Sequence, residues 1–281
     1  MKFHSNPATF VGHVKIKVQD LQRSLQFYKE IIGFDILEQT ANTAKLTTDG
    51  KTSILSLEQP ENPLPKQGRT TGLYHFAILL PTKTDLANIV VHLVENGVRL
   101  GSSDHLVSEA LYLNDPDGNG IEIYIDRDPK EWAWNADEVV MTVDPLNFEK
   151  LLQHRGEGWN GLPKETVMGH IHLHVSELKD TEKFYVKGLG MDVVSRYSGQ
   201  ALFLSYHKYH HHIAVNTWNG VGAPKPKDNS VGLHSYTLIF PDEKAKQATV
   251  SNLQEIGATV SEEDGVFVTY DPSGNRVELT V

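Results

Sequence analysis

Apolar and polar residues alternate at the start of the chain and then change to a longer period. The alternating segment has one apolar face, formed by Val14, Ile16 and Val18. A period of two is typical of a β-strand with one buried side. The longer period, three and four residues, joins Leu21, Leu25, Tyr28 and Ile32. It predicts an amphipathic helix, and Gly33 directly after it predicts where the helix ends.

The same pattern returns later in the chain. Residues 13–37 and 170–194 align without a gap, and both segments contain Phe-Tyr in the helix and a glycine behind it. Residues 72–124 also resemble residues 232–281, and both end with Asp-Pro-x-Gly-Asn-x-x-Glu, at Glu122 and Glu278 respectively. The Asp-Pro-x-Gly-Asn stretch predicts a tight turn between two strands. The chain is therefore an internally duplicated array of four units.

We predict modules at residues 11–58, 72–126, 168–218 and 232–281. The first two form residues 1–126, the last two form residues 168–281, and residues 127–167 are a long, irregular connector with some structure of its own. A length of 281 residues allows sizeable cores.

The amino-acid composition limits the partners and the metal ligands that can be expected. The formal net charge is −10, and no basic run occurs, so nucleic acid is not an expected partner. The chain has no cysteine and 14 histidines, so a metal would be held by imidazole and carboxylate groups. Neither a signal peptide nor a membrane span is predicted, which favours a cytoplasmic protein that acts on small molecules, with homo-oligomer formation left open.

The repeated motifs resemble the vicinal-oxygen-chelate superfamily, which includes glyoxalases, bleomycin-resistance proteins and extradiol dioxygenases. The resemblance covers nearly the whole chain. It implies an α+β fold of four βαβββ modules, in which two modules close each of two cupped, barrel-like sheets with helices outside. It also implies a metal inside a cup, held by residues of first and last strands.

Module two resembles the extradiol dioxygenases, and among them the bacterial catechol-2,3-dioxygenases. His105 is followed by Leu111-Tyr112, then Asp115-Pro116, Gly118 and Glu122, in the order and spacing of the extradiol signature. The resemblance implies that His75 and Glu122 are metal ligands and that His105 and Tyr112 are catalytic.

Module three supplies the remaining positions. His170 occupies the first-ligand position, although His172 and His174 share its face, so at most one of the three is expected to bind metal. The resemblance places a catalytic histidine three residues before a small residue, which is His211 before Ala214. Because three histidines are consecutive, His212 is the alternative.

The resemblance implies ring cleavage of catechol-type substrates with O₂ and Fe²⁺, with Mn²⁺ or another divalent metal left open. One alternative is a glyoxalase-like isomerase or lyase with a redox-inert metal. Another is a non-enzymatic protein that binds a small molecule. Fold alone does not decide among them.

The distribution of these residues predicts which modules share a cup. Module one has His13 at the ligand position but no acid–base histidine, and module four has Ser235 where module two has His75. Only modules two and three together hold a complete set. We therefore predict non-sequential pairing, with metal on His75, Glu122 and His170; the competing arrangement replaces His170 with His13.

Overall fold

The computed structural model describes residues 3–281 and contains four strand–helix–three-strand modules. Module one comprises β1 (Phe10–Lys17), α1 (Leu21–Gln26), β2 (Asp35–Gln39), β3 (Thr43–Thr47) and β4 (Ser53–Glu58). Module two comprises β5 (Gly72–Leu79), α2 (Lys83–Glu95), β6 (Gly101–Asp104), β7 (Ser108–Asn114) and β8 (Gly120–Asp126).

The segment between modules two and three has a 3₁₀ turn, a short hairpin and one helical turn. These are Pro129–Glu131, the strands β9 (Trp134–Asn135) and β10 (Glu138–Val139), and α3 (Phe148–Leu152). Module three comprises β11 (Val167–His174), α4 (Lys179–Lys183), β12 (Asp192–Tyr197), β13 (Ala201–Ser205) and β14 (Ile213–Asn216). Module four comprises β15 (Gly232–Ile239), α5 (Glu243–Glu255), β16 (Val260–Glu263), β17 (Val266–Tyr270) and β18 (Arg276–Thr280).

The sixteen strands of the four modules form two eight-stranded sheets. One has the order β16-β17-β18-β15-β1-β4-β3-β2, and the other has the order β12-β13-β14-β11-β5-β8-β7-β6. At the centre of each sheet, first strands of two different modules run antiparallel, β1 beside β15 and β11 beside β5. Module one therefore pairs with module four, and module two with module three. The predicted fold class and the predicted non-sequential pairing are both confirmed, whereas the division into domains at residues 126 and 168 stays a prediction.

The first strand and helix follow the predicted burial. Val14 and Ile16 of β1 are buried, as are Leu21 and Leu25 of α1, and the Asp20 side chain caps the helix by accepting from the Arg23 N–H. Beyond Gln26 the helix continues as a π-helical segment, Phe27–Ile32, and module three repeats this feature at Phe184–Gly188. The period of the apolar residues did not predict the π-helical segments.

The Asp-Pro-x-Gly-Asn turns hold sequential modules together. Asp115 accepts the N–H groups of Asp117 and Asn119 with one carboxylate oxygen, and its other oxygen accepts the Tyr28 hydroxyl of module one at 3.0 Å. Asp271 bonds Tyr185 of module three in the same way, at 3.1 Å. Both tyrosines are buried core residues, as the helical spacing predicts. One hydrophobic cluster runs through all four modules.

None of the helices in residues 3–281 is long and apolar enough to cross a membrane.

Candidate metal centre and its cavity

Glu122 of β8 lies between two histidines of neighbouring strands. Its Oε2 is 3.0 Å from Nε2 of His75 and 3.1 Å from Nε2 of His170. All three side chains are buried, and their ligand atoms lie within 4.8 Å of one another. The structure thus brings together the three residues that the sequence predicts as metal ligands.

Strand register produces this convergence. Ala77 of β5 is opposite His170 of β11 on one side and opposite Glu122 of β8 on the other. His75, two residues before Ala77 on the same strand, shares that face. The small alanine between the two longer side chains leaves room for them to approach each other.

Two glycines permit the close approach of the strands. A Cβ on Gly120 would lie 2.1 Å from the Tyr74 carbonyl oxygen and 3.0 Å from the Cβ of His75. A Cβ on Gly169 would lie 2.1 Å from the hydroxyl oxygen of Tyr124. A side chain at Gly120 would push β5 and β8 apart, and one at Gly169 would displace the Tyr124 ring that packs against His170, so either change would misplace the ligand atoms.

The charges of the group suit a cation. Burial alone would raise the pKa of Glu122, but His170 and His75 lower it to well below its usual value. Burial lowers the pKa of His170 to about 4, although Glu122 partly opposes this. Across residues 3–281, no lysine or arginine forms an ion pair with Glu122. A buried carboxylate without a lysine or arginine partner favours a bound cation.

The geometry of the group fits a divalent metal. Nε2 of each histidine lies within hydrogen-bond distance of Glu122, at 3.0 and 3.1 Å, and the three ligand atoms are close enough together to bind one ion. Imidazole and carboxylate groups are ligands that divalent metals accept. Nδ1 of His170 is buried and has no hydrogen-bond partner in the described part of the chain. Its ring is held by packing against Tyr124 and His211, at centroid distances of 4.9 and 4.1 Å.

His13, the competing ligand, lies in the other sheet. Its Nε2 is 2.8 Å from the Ser56 hydroxyl, and Glu278 is the carboxylate that acts on its charge. Thr237 and Arg276 donate to Glu278. The structure therefore does not bring His13 to His75 and Glu122.

A cavity of about 520 Å³ opens onto the metal centre. This volume is within the range of small-molecule sites. His75, Glu122 and all three predicted catalytic residues line it, together with an aromatic wall formed by Tyr74, Phe203 and Trp218. The aromatic wall was not predicted.

Two of the predicted catalytic residues are bonded to each other. Nε2 of His105 is 2.6 Å from the hydroxyl of Tyr112, and Nδ1 of His105 is 2.6 Å from the carbonyl oxygen of Thr142. Because a carbonyl only accepts, Nδ1 of His105 carries a hydrogen, and in the neutral form of the ring Nε2 then accepts from Tyr112. Burial and the nearby Glu122 hold the pKa of Tyr112 well above its usual value, so the hydroxyl keeps its proton.

Thr142 belongs to the segment between modules two and three, and the sequence did not predict its role. The segment runs along the edge strand β6, where Asp104 and Asp144 form an isolated β-bridge. Met141 and Val143 also line the cavity. No periodic pattern marks these residues, because their position depends on a contact between distant parts of the chain.

The three consecutive histidines have different surroundings. His211 lines the cavity, and its ring lies against that of His170. His212 is buried elsewhere: its Nε2 bonds the carbonyl oxygen of Phe3 and its Nδ1 accepts the N–H of Tyr206. His210 faces Asp126, at 2.7 Å. Of the two candidates for the acid–base residue, only His211 faces the cavity.

The other histidines of β11 are not in the metal group. His172 lines the cavity, and its Nε2 accepts from the Asn216 side chain at 2.9 Å. His174 bonds the same amide through Nδ1, at 2.8 Å.

Comparison with known proteins bears on this architecture. The family model described as Glyoxalase/Bleomycin resistance protein/Dioxygenase superfamily matches residues 10–123 and 167–279. The chain belongs to this superfamily. Within it, the chain is 44% identical over 281 aligned residues to a catechol-2,3-dioxygenase of Bacillus subtilis (strain 168), which covers 97% of this chain and 98% of that protein.

More distant members of the superfamily match in part or in fold. A biphenyl-2,3-diol 1,2-dioxygenase of Rhodococcus globerulus is 30% identical over 42% of this chain and 63% of its own length. A solved structure of a putative dioxygenase from Bacillus subtilis has a TM-score of 0.67 at 15% identity, covering 96% of this chain and 84% of that one. Glyoxalase I from Zea mays has a TM-score of 0.60 at 18% identity, covering 97% and 92%. These two structures show the fold only.

Proposed function

We propose that this chain is an extradiol dioxygenase that opens the ring of catechol-type substrates with a divalent metal, Fe²⁺ in the first instance, and O₂. The observation that carries the proposal is the group formed by His75, Glu122 and His170. Two of its members, His75 and Glu122, line one cavity together with His105, Tyr112 and His211. The similarity to a catechol-2,3-dioxygenase over nearly the whole chain supports it.

The two histidines and the carboxylate would hold the metal. Two histidines and one carboxylate on one face are the ligand set of ferrous oxygenases, because they leave adjacent positions open. When bound, ferrous iron supplies Lewis acidity and the redox chemistry that lets a catechol react with dioxygen. Manganese or another divalent metal would fit the same ligand set.

The remaining residues would act on the substrate directly. His211 would take a proton from a catechol hydroxyl, a task suited to imidazole. Tyr112 and His105 would hydrogen-bond the substrate oxygens and the negative charge that develops there. The cavity walls would orient the ring and keep water away from it. Both atoms of O₂ would enter the product, a ring-opened acid of the muconic semialdehyde type.

Two other functions on this fold are the alternatives. A glyoxalase-like site would use four protein ligands with two carboxylates, but the group described above contains one carboxylate and two imidazoles. A protein that only sequesters a small molecule would have no need of the catalytic residues beside the metal. Cytoplasmic location and absence of a nucleic-acid partner stay predictions from the sequence.

The test begins with metal analysis of protein purified without oxygen. The protein is then reconstituted with Fe²⁺, Mn²⁺ or Zn²⁺, and oxygen uptake is measured with catechol and with 3- and 4-substituted catechols. We expect uptake with the ferrous protein, one O₂ for each ring-opened product. A ferrous protein that consumes no oxygen with any catechol, yet isomerises a thiohemiacetal, would contradict the proposal.

A further inference from the structure

A chain of buried hydrogen bonds lies behind His211, on the side away from the cavity. Nδ1 of His211 is 2.9 Å from Nδ1 of His210, and Nε2 of His210 is 2.7 Å from Oδ1 of Asp126. His210 is fully buried, whereas Asp126, at the end of β8, is partly exposed. None of the roles proposed above uses Asp126 or His210.

The positions of the hydrogens follow from the carboxylate. A carboxylate accepts only, so the hydrogen between Asp126 and His210 belongs to Nε2 of His210. In the neutral form of the His210 ring, Nδ1 has a lone pair, and the contact of 2.9 Å then places a hydrogen on Nδ1 of His211. Nε2 of His211 is left without a hydrogen, and across residues 3–281 it makes no hydrogen bond to the protein.

Other contacts hold the pair in place. Tyr209 donates its hydroxyl to the same carboxylate oxygen at 3.1 Å and accepts from Tyr124 at 2.7 Å. The rings of Tyr209 and Trp132 pack against His210 at centroid distances of 4.0 and 5.3 Å. His210 therefore has little freedom to turn its Nε2 away from Asp126.

The backbone before the histidines is strained. His207 and Lys208 have φ of +56° and +59°, in the left-handed region that residues with a Cβ rarely adopt. Strain of this kind is retained where the surroundings enforce it, often at functional sites. The strained turn leads directly into the buried run that contains His210 and His211.

We propose that Asp126 and His210 are positioning residues that fix His211 in the tautomer with its hydrogen on Nδ1. This tautomer presents the unprotonated Nε2 to the cavity, where a base for the substrate hydroxyl is needed. The inference rests on the proposed function for the role of His211, but the tautomer itself is a property of the protein and is measurable without turnover.

The first measurement is nitrogen NMR of the full-length protein with ¹⁵N-labelled histidine, loaded with diamagnetic Zn²⁺. The His211 signals are assigned by their loss in His211→Asn. We expect the hydrogen on Nδ1 in the parent and in the control Asp128→Asn, an exposed aspartate two residues away. In Asp126→Asn and in His210→Phe the hydrogen should move wholly or partly to Nε2. A parent with the hydrogen on Nε2 of His211 would overturn the proposal.

The second measurement is steady-state oxygen uptake by the ferrous forms of the same variants. Asp126→Asn and His210→Phe should lower kcat by about 10²-fold, with KM changed less than about 3-fold and iron content unchanged. The Asp128→Asn control should match the parent. A kcat equal to the parent's, or a loss that follows the loss of iron, would contradict a positioning role. If the parent itself consumes no oxygen, the proposed function fails, while the NMR result still decides the tautomer.

Discussion

Replacing Glu122 by glutamine removes the charge of the candidate metal centre and keeps its shape. In the structure, Nε2 of His75 and Nε2 of His170 both donate to Oε2 of Glu122. The amide oxygen of glutamine can accept from both rings, so we expect the metal-free variant to fold with a Tm close to that of the parent. The variant should lose metal, because the only carboxylate of the group is gone.

The size of the effect follows from linkage. Loss of groups that merely orient a ligand weakens metal binding about 10- to 100-fold, so loss of a ligand should cost at least about 100-fold. At a metal concentration 100 times the parent Kd, binding stabilises the parent by about 2.7 kcal/mol and the variant by only about 0.4 kcal/mol. For a chain of this size, 1 kcal/mol corresponds to about 2–4 °C in Tm. The metal-dependent rise in Tm should therefore be about 5–9 °C smaller in the variant.

The assay is calorimetry without oxygen, with and without Mn²⁺ or Fe²⁺, together with metal analysis after gel filtration. Glu278→Gln is the matched control, because Glu278 occupies the equivalent position in module four and lies apart from the metal group. His170→Gln and His13→Gln extend the test to the competing ligand, and only the former should lose metal. The reasoning is refuted if Glu122→Gln keeps the full metal-dependent rise in Tm, or if Glu278→Gln loses it.

Three further predictions concern other parts of the molecule. His211→Asn should keep its iron and lose about 10²- to 10⁴-fold in kcat, measured by oxygen uptake and metal analysis; loss of iron would make His211 a ligand instead. Tyr28→Phe removes the hydrogen bond to Asp115 and should lower the free energy of unfolding by about 2 kcal/mol, which corresponds to about 4–8 °C in Tm. The control Tyr197→Phe, at an exposed site, should leave Tm unchanged. Burial lowers the pKa of His13 to about 4, below the value of about 6.5 in the unfolded chain. Between these two pH values the folded protein binds fewer protons than the unfolded chain. The free energy of unfolding therefore decreases as the pH falls through this range. In His13→Gln, the loss of stability between pH 7 and pH 5, measured by denaturant unfolding, should be about 1–2 kcal/mol smaller than in the parent, and an equal loss would contradict the assignment.

The residues of the candidate metal centre could be predicted from the sequence, because the internal duplication lets each residue be compared with its counterpart in another module. His75 in module two matches Ser235 in module four, and that substitution already indicates that module four lacks a ligand. Strand alternation then predicts which residues share a face. Neither modules one and two nor modules three and four together hold a complete set of metal ligands and catalytic residues. The cup shared by modules two and three could therefore be predicted from the residue type at each repeated position.

The contacts between remote segments were not predictable in this way. The carbonyl of Thr142 reaches His105 because the segment after module two folds back along β6, and no periodicity encodes that path. The bond between Tyr28 and Asp115 joins a helix of one module to a turn of another. Which of His211 and His212 lines the cavity could not be predicted either, since three consecutive histidines give no sign of which side chain faces inward. The position of Asp126 was easier to predict, because strand alternation places it on the same face of β8 as Glu122.

The crossed arrangement of modules has a consequence for fragments of the chain. A backbone break within residues 127–167 would leave His75 and Glu122 on one polypeptide and His170 and His211 on the other. Each fragment would expose two central strands that lack a neighbour, β1 and β5 on one fragment and β11 and β15 on the other. Turnover by a mixture of the two would then vary with the product of their concentrations until the complex saturates. The broken chain would serve as a reporter of its own reassembly.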